Sequence, residues 1–434
     1  MITRDLLNKN IEYDGVGYDD ICSLVNRWKS ILVNKYGAKH GQILTNAVIK
    51  LNLNHIAINI AAGELGMRLL IMDKPVDETT IHMTKMALFG PSDITIDCEQ
   101  IRWHPHDKMV NNYSKIVIGE EEIDLWEDTT PVPFLTKPDD VYLIASTSGS
   151  TKVSRPVYFT HKEAYEISKR NISVFKFDAD SRPLHFRNLH HASSLFTYML
   201  PSLMTCDVHK SAYIFNTWQE PQSISEEFLI PYNITHIMCA NLWDVSSVFR
   251  SLSSNPTTNK LFINISGFAV TKPVAEYAKK YNIEFISHYG SIDTGIPLIV
   301  NYVDRDYDFE VAKLGVVVDD FYHLEPDNGI TRVECNLWDS PRILQDNLDL
   351  RDGIWYYGGR KDKDPIETYI ESVTTEYTLV FDDGLRYLAI WDDTALNKFD
   401  GLGINMIKAL DKKKFTVETK VNVDQLRAFF RSAV

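Results

Sequence analysis

Short apolar runs rich in β-branched residues alternate with helical patterns along much of this sequence. Ile234–Ala240 and Leu261–Ser266 are typical of buried strands, Lys272–Lys280 is predicted as a helix, and Ile283–Ser287 as the next strand. Strands that alternate with helices indicate a parallel sheet, and ligands bind such sheets at the carboxyl ends of the strands. The sequence therefore predicts an α/β protein whose ligand site lies just beyond these strands.

The beginning of the chain follows the same pattern. Tyr18–Lys35 places apolar residues at helical spacing, and it is followed by a predicted strand (Gln42–Ile49), helix (Asn54–Leu65) and strand (Leu69–Met72). This succession predicts a β-α-β unit. A chain of 434 residues with 44% hydrophobic residues is long enough for two to three domains.

Charge and cysteine content exclude several classes of function. A net charge of −14 argues against a nucleic-acid-binding surface and against attraction to anionic lipid, so any bound nucleotide is expected to be small. The five cysteines lie far apart, which predicts neither a zinc site nor a disulfide framework and favours the reducing cytoplasm. The most apolar region, residues 55–72, is interrupted by Glu64 and Arg68, so no membrane span is predicted.

A hydroxyl-rich loop lies between two predicted strands, Val141–Ile144 and Val157–Phe159. Its hydroxyls and backbone N–H groups can bind a polyphosphate, and a glycine permits the backbone turn that directs them at one anion. A solvated turn is the alternative. No Lys-Ser or Lys-Thr follows a second glycine, as the Walker phosphate loop requires. The hydroxyl- and glycine-bearing residues are Thr147, Ser148, Gly149, Ser150 and Thr151.

The run from Thr147 to Thr151, followed by Thr160-His161, resembles the signature loop of the adenylate-forming superfamily, which includes acyl-CoA synthetases, firefly luciferase and peptide-synthetase adenylation domains. The sequence departs from that pattern at Lys152, where glycine is usual, at Ser154, and at Arg155-Pro156. The resemblance implies that the loop, including Lys152, binds the phosphates of ATP.

Further segments resemble motifs of the same family, in the same order. Gly267-Phe268-Ala269 is similar to its glycine-rich turn, and Tyr289-Gly290-Ser291-Ile292-Asp293 to its Tyr-Gly-x-Thr-Glu motif. Leu344-Gln345-Asp346 resembles Thr-Gly-Asp, and Gly359-Arg360-Lys361-Asp362 resembles the hinge motif Gly-Arg-x-Asp. Ile292 lacks the usual hydroxyl, and Asp293 is one methylene shorter than glutamate.

The resemblance assigns a role to each of these positions. Tyr289 would stack on adenine, Asp346 would accept the ribose hydroxyls, and Arg360 would bind ribose or phosphate. Mg²⁺ would be held by Asp293 and Thr151, and Gly267, Phe268, Ala269, Gly290 and Ser291 would line the ATP site. The catalytic lysine of the small domain is assigned to Lys420, with Lys398 as the alternative.

The acid substrate is less clearly marked. By the same resemblance, His191, Ala240, Ser266 and Gly295 would border its pocket, while His190 is expected to pack in the core. Paired histidines without a suitably spaced third ligand do not predict a metal site. No aspartate stands near His191 to hold an ammonium group, which favours a small or aryl acid.

The resemblance implies an α/β fold with a large N-terminal domain (1–358) of stacked mixed sheets and flanking helices. This domain includes a β-rich subdomain at about 315–358, and a small α+β domain (359–434), shorter than is usual in the family, follows a hinge at Asp362. In the small domain, patterns predict helices at Ile366–Ser372, Leu402–Leu410 and Val423–Arg431 and strands at Tyr377–Phe381, Arg386–Trp391 and Phe415–Val417.

The implied function is that of an AMP-forming ligase, which uses ATP and Mg²⁺ to convert a carboxylic acid into an acyl-adenylate and then transfers the acyl group to coenzyme A, a carrier protein or an amine. Residues 361–371 contain no glycine to make room for a pantetheine arm, which favours an amine or another small nucleophile. One alternative is a catalytically degenerate nucleotide-binding module of the same fold. The other, an amidase-like hydrolase with a loop serine as nucleophile, lacks a suitably spaced lysine or histidine.

Overall fold

A computed structural model of the chain contains two large mixed β-sheets with helices packed between and around them. The prediction of an α/β fold with stacked mixed sheets is confirmed. The structure describes residues 1–47, 53–72, 94–97, 115–118, 121–124, 132–146, 156–185, 192–211, 228–239, 248, 252, 259–266, 270, 272–292, 295–310, 312–327, 330–344, 346–360, 377–382, 385–390 and 406–409.

The larger sheet has eight strands, and its interior pairings are parallel. The strand at each edge is antiparallel to its neighbour. Across the sheet, the strands are Gly295–Val303, Ile283–Ser291, Leu261–Ser266, His236–Cys239, Pro183–His185, Val208–Ser211, Glu12–Tyr13 and Val16–Gly17.

The second sheet has five strands and contains the predicted β-α-β unit. Ile43–Ala47 and Arg68–Met72 pair in parallel on either side of the helix Leu53–Glu64, as the apolar patterns predict. The two strands that flank the hydroxyl-rich loop pair antiparallel with each other and form one edge of this five-stranded sheet. Across the sheet, the strands are Ile94–Asp97, Ile43–Ala47, Arg68–Met72, Val141–Ser146 and Pro156–Thr160.

Two helical segments lie between the large sheets. The helix His161–Val174 begins at a capping box in which Thr160 and Glu163 satisfy each other's backbone N–H groups. Its first turns pack in the core that includes the five-stranded sheet, and its end packs against the eight-stranded sheet. The second segment does the same, and it consists of Ala192–Ser194, the π-helical turn Leu195–Met199 and Leu200–Thr205.

The remaining helices flank the sheets. Tyr18–Ser30, continued by the π-helical Ile31–Lys35, buries its apolar stripe in the core of the five-stranded sheet. Lys272–Lys280, predicted to the residue, covers the outer face of the eight-stranded sheet. A short 3₁₀ helix, Arg4–Leu6, lies near the start of the chain. No helix among the residues that the structure describes is long and apolar enough to cross a membrane.

A buried ion cluster joins the start of the chain to the first two helices. The carboxylate of Glu64 is fully buried and accepts hydrogen bonds from the Arg4 side chain, with Arg4 Nε at 2.7 Å from Glu64 Oε1. Lys29 Nζ lies 3.0 Å from Glu64 Oε2 and is itself almost fully buried. The ring of Phe134 covers both cations. One buried carboxylate therefore balances one buried cation, Lys29, and one partly buried cation, Arg4.

The β-rich region after Gly315 forms two small antiparallel sheets. The first of its strands is Lys313–Gly315, and the run Val316–Val318 that follows, although rich in valine, makes only a single bridge, from Val316 to Val300. Gly315, at φ +108°, approaches the Val300 backbone so closely that a Cβ would lie 2.0 Å from the Val300 carbonyl oxygen, so this position requires glycine. The strands are Lys313–Gly315, Ile354–Arg360 and Asp346–Arg351 in one sheet, and Tyr322–Asp327, Ile330–Cys335 and Arg342–Leu344 in the other.

Two smaller sheets contain the remaining strands of the described residues. The prediction of a helix over Leu402–Leu410 is wrong in its second half, because Met406–Ala409 is a strand that pairs in parallel with Leu385–Ile390. A short apolar run fits a strand as well as a helix, and a strand partner decides between them. The strands are Tyr377–Asp382, Leu385–Ile390 and Met406–Ala409 in one sheet, and Lys115–Ile118 and Glu121–Asp124 in the other.

Candidate active site

Three neighbouring parallel strands of the larger sheet end at one edge. They are His236–Cys239, Leu261–Ser266 and Ile283–Ser291, and Ser266 lies opposite His288 in their register. In α/β sheets, ligands bind outside the carboxyl ends of the strands. Ala240 and Gly267 follow two of these ends directly in sequence. This edge of the sheet is therefore the candidate site.

Tyr289 lies on the last of these strands. The strand extends beyond its predicted end at Ser287 to Ser291, so Tyr289 and Gly290 belong to the sheet and not to a loop. Its pairing with Gly295–Val303 shifts register between Tyr289 and Ser291. Such bulges bend a strand and redirect its side chains, and they are frequent beside active sites. Gly290 is exposed, and Ser291 is half-buried and pairs with Gly295.

A hairpin of the β-rich region brings Asp346 to Tyr289. The strands Asp346–Arg351 and Ile354–Arg360 are joined by a turn with Asp352 and Gly353 at φ +50° and +80°, as the Asp-Gly sequence predicts. At the far end of the hairpin, Asp346 lies opposite Arg360. The Tyr289 hydroxyl donates a hydrogen bond of 2.6 Å to Asp346 Oδ2. Three residues predicted to bind one nucleotide are thus brought together from distant parts of the chain.

Apolar packing holds this arrangement in place. Leu298 and Ile299, from the edge strand that pairs with the Tyr289 strand, share one buried cluster with Leu344 and Trp355 of the β-rich region. Leu344 is two residues before Asp346. The Tyr289 ring packs against this cluster, as does the Tyr357 ring, whose centroid lies 6.1 Å away. The hydrogen bond between Tyr289 and Asp346 therefore lies at the rim of a packed interface.

Most of the other predicted site residues lie outside the described part of the chain. Around the hydroxyl-rich loop, the structure describes the flanking strands, with Ser146 opposite Pro156. For Arg360 and Gly295 it describes the backbone only. The predicted residues outside the described ranges are Thr147, Ser148, Gly149, Ser150, Thr151, Lys152, His191, Ala240, Gly267, Phe268, Ala269, Asp293, Asp362 and Lys420.

Both predicted Mg²⁺ ligands, Thr151 and Asp293, belong to that group. Among the described residues, no group of three or more histidine, cysteine, aspartate or glutamate side chains is arranged to hold a metal ion. Ile292, next to Asp293, packs against the main hydrophobic core at the position where the family motif has a threonine. Its side chain cannot donate a hydrogen bond to a phosphate.

Sequence reasoning missed two buried polar residues beside the site, His288 and Asn264. His288 is 6% exposed and Asn264 is 4% exposed. Burial lowers the pKa of His288 to about 3, so its ring is neutral at physiological pH. The signal was present in the sequence, because each is a polar residue inside a predicted buried strand or at its end. Polar residues in such positions are unusual.

No protein-family model matches the sequence, and the comparison with curated proteins finds no significant match. Solved structures, in contrast, match along nearly the whole chain. McyG A-PCP complexed with phenylalanyl-adenylate is 14% identical with a TM-score of 0.70, and the match covers 99% of this chain and 94% of that one.

Two ligases give similar results. Escherichia coli MenE with bound OSB-AMS is 12% identical with a TM-score of 0.67, over 96% of this chain and 93% of that one. O-succinylbenzoate coenzyme A synthetase (MenE) from Bacillus subtilis, in complex with ATP and magnesium ion, is 13% identical with a TM-score of 0.66, over 92% of each chain. At this level of identity the likeness shows the fold. The chain thus has the fold of the adenylate-forming enzymes.

Proposed function

We propose that this chain activates a carboxylic acid with ATP. In this reaction the carboxylate attacks the α-phosphorus, pyrophosphate leaves, and an acyl-adenylate forms. The observation that carries the proposal is the convergence of Tyr289, Asp346 and Arg360 at the carboxyl edge of a parallel sheet. The fold of the chain, which it shares with adenylate-forming enzymes, supports the same reaction.

The described residues have distinct tasks in this reaction. Asp346 accepts hydrogen bonds from the ribose hydroxyls, since a carboxylate can pair with a vicinal diol. The Tyr289 hydroxyl holds that carboxylate in one orientation, while its ring offers a face to the adenine. The backbone of Arg360 lies opposite Asp346 on the neighbouring strand, and its guanidinium would supply a cation for the ribose or the phosphates. These groups position the nucleotide, and no protein nucleophile is needed.

The remaining roles rest on residues outside the described ranges. Mg²⁺, held by Asp293 and Thr151, would offset the charge of the triphosphate. Lys420, or Lys398 in the alternative alignment, would stabilise charge at the α-phosphate during adenylation. The lack of glycine in residues 361–371 favours an amine or another small nucleophile as the acyl acceptor over coenzyme A or a carrier protein. A small or aryl acid remains the preferred substrate class.

The test is pyrophosphate exchange, in which labelled pyrophosphate enters ATP only if the chain forms an adenylate reversibly. Wild-type protein is assayed with a panel of carboxylic acids, beside Asp346→Asn. The matched control is Asp349→Asn, since Asp349 is an exposed carboxylate on the same strand that pairs with Arg351. We expect acid-dependent exchange that Asp346→Asn reduces and Asp349→Asn leaves unchanged.

A second candidate function is favoured by one observation. Ile292 packs into the apolar core in place of a phosphate-binding hydroxyl, which fits a module that binds nucleotide without turnover. ATP binding measured by calorimetry, without exchange for any acid in the panel, would support this module and contradict the ligase. Exchange with any single acid decides for the ligase.

A further inference from the structure

Two buried polar side chains beside the candidate site have hydrogen-bonding groups that meet no partner in the described part of the chain. Among the residues that the structure describes, neither ring nitrogen of His288 has a hydrogen-bond partner, and neither does Oδ1 of Asn264. Both side chains are more than nine-tenths buried. Buried polar groups in proteins nearly always have partners, because an unsatisfied group loses its hydration without compensation. Two such groups close together therefore require an explanation.

The two residues lie on the same face of the eight-stranded sheet. In the parallel pairing of their strands, Asn264 is opposite Ile286 and Ser266 is opposite His288. Because side chains two residues apart in a strand share a face, Asn264, Ser266 and His288 point to the same side. Asn264 and His288 are therefore diagonal neighbours on one face of the sheet, and one small ligand group lying over that face can contact both. Ser266 was already predicted to border the acid pocket.

This face is turned towards the helices between the sheets. The Phe175 ring packs edge-on against His288, with 5.2 Å between the centroids. The amide nitrogen of Asn264 lies 3.4 Å from the Thr197 carbonyl oxygen, which can only accept a hydrogen bond. That contact fixes the orientation of the amide, so Oδ1 is the atom left without a donor.

Three other buried histidines of the eight-stranded sheet, His185, His209 and His236, each have at least one partnered ring nitrogen. His209 and His185 contact each other through ring nitrogens 3.1 Å apart, and His236 Nδ1 lies 2.9 Å from Thr235 Oγ1. His288 differs from them because neither of its nitrogens meets a partner within the described ranges. His288 also differs from these three histidines because the residue after it is Tyr289, which belongs to the candidate site. Adjacent residues of a strand face opposite sides, so one strand end presents an imidazole to the interior and a tyrosine to Asp346.

We propose that His288 and Asn264 form a subsite that recognises a neutral hydrogen-bonding group, a hydroxyl or an amide, on the carboxylic acid. This inference rests on the proposed function and specifies its substrate class. A neutral imidazole can donate from one nitrogen and accept at the other, and Oδ1 of Asn264 needs a donor. A hydroxyl or an amide can satisfy both residues at once. An anionic group is disfavoured, since burial lowers the pKa of His288 and leaves no positive charge there.

The first test is stability, measured by urea unfolding without ligand. Because the His288 nitrogens have no partners to lose, His288→Leu is expected to be at least as stable as wild type. Asn264→Leu serves as a second variant. The matched control is His236→Leu, which removes a partnered ring that stacks on Phe177 and Phe262 and should lose stability. If His288→Leu and Asn264→Leu are destabilised as much as the control, they serve the fold or bind ordered water, and the proposal is overturned.

The second test is selectivity between acids of matched shape, with pyrophosphate exchange as the readout. The pairs are 4-hydroxybenzoate with 4-methylbenzoate and 5-hydroxypentanoate with hexanoate. Wild type is expected to favour the hydroxyl member of at least one pair by about tenfold or more in kcat/KM, and His288→Leu to bring that ratio close to one. No preference in wild type, or a preference that survives in His288→Leu, contradicts the subsite.

Failure of the proposed function can be told apart from failure of this inference. If wild type exchanges no acid of the panel, the ligase assignment fails, and the same pairs are then compared by calorimetric binding without ATP. A hydroxyl preference in binding that is lost in His288→Leu supports the subsite on its own. Equal or absent binding of both members overturns it.

Discussion

Lowering the pH from about 7.5 to about 5 is expected to destabilise this protein strongly, because several histidines are buried in neutral form. Burial lowers the pKa of His55 and His288 to about 3, and that of His161 and His236 to about 4. For His209 the pKa is again lowered to about 4 by burial, and for His185 it lies well below the ordinary value. In the unfolded chain all six would titrate near 6.5.

The direction follows from proton binding. Above about pH 6.5 these rings are neutral in both states, so their contribution is fully present. Between about 6.5 and 4 the unfolded chain binds protons that the folded protein does not, and stability falls as the pH falls. Each ring then contributes about 1.4 kcal/mol per pH unit, or about 2 kcal/mol at pH 5. At pH 5 the five rings with a pKa of about 3 to 4 together lose on the order of 10 kcal/mol, which is comparable to the whole stability of an ordinary protein, and His185 acts in the same direction.

Urea unfolding monitored by tryptophan fluorescence, in steps of about half a pH unit, measures this dependence. Buried carboxylates affect stability only at lower pH. Burial acts to raise the pKa of Glu284, but hydrogen bonds from Lys176 and Lys260 hold that pKa below its ordinary value, so Glu284 stays ionised in the pH range of the histidine effect. His236→Leu and His288→Leu each take away one ring that binds a proton only in the unfolded state. Each variant should therefore show a smaller dependence of the unfolding free energy on pH above about pH 5 than wild type, by up to one proton. An unfolding free energy that is unchanged between about pH 7.5 and 5.5 would refute the reasoning. It would mean that these rings are protonated in the folded protein as readily as in the unfolded chain, despite their burial.

Three further changes have defined outcomes. Asp346→Ala should weaken ATP binding by about 1.5–3 kcal/mol in calorimetry, the value of a charge-assisted hydrogen bond, and an unchanged Kd with normal melting would remove it from the site. Lys420→Ala should slow adenylate formation by about 10²-fold and spare acyl transfer from a preformed adenylate, whereas the same loss in Lys398→Ala would favour the other alignment. Glu64→Gln should cost about 3–5 kcal/mol in urea unfolding because it leaves Lys29 buried beside another cation, and a loss below 1 kcal/mol would mean that water reaches the cluster.

Local pattern was sufficient for the regular elements of the core. Leu261–Ser266 and Lys272–Lys280 have the bounds that the sequence predicts, because a buried strand and an amphipathic helix each carry their own periodicity. The same holds for the turn at Asp352-Gly353, where the residue types specify the backbone conformation. In these segments each residue's neighbours in sequence are enough to determine its structure.

The predictions from sequence were wrong where the structure of a segment depends on a pairing partner far away in the chain. Met406–Ala409 is a strand because Leu385–Ile390 offers an edge, and that edge cannot be read from the helical pattern of 402–410. The strand Ile283–Ser291 runs past its predicted end because Gly295–Val303 continues to pair with it. The hydrogen bond between Tyr289 and Asp346 depends on the packing of two sheets. Motif resemblance could place both residues near one nucleotide but could not predict their mutual contact.

Successive side chains of a β-strand point to opposite faces of the sheet, and this places two different groups at the candidate site. At the end of Ile283–Ser291, His288 faces the interior with Asn264, and Tyr289 faces Asp346. A shift of this strand by one residue would exchange those faces and place the imidazole against the nucleotide residues. The buried pairing with Leu261–Ser266 over six register positions prevents that shift. The polar groups of His288 and Asn264, which meet no partner among the described residues, are thus held beside the proposed nucleotide site by the apolar part of the same strand. Packing elsewhere in the strand can offset the cost of a buried polar residue at its end, where the proposed substrate would bind.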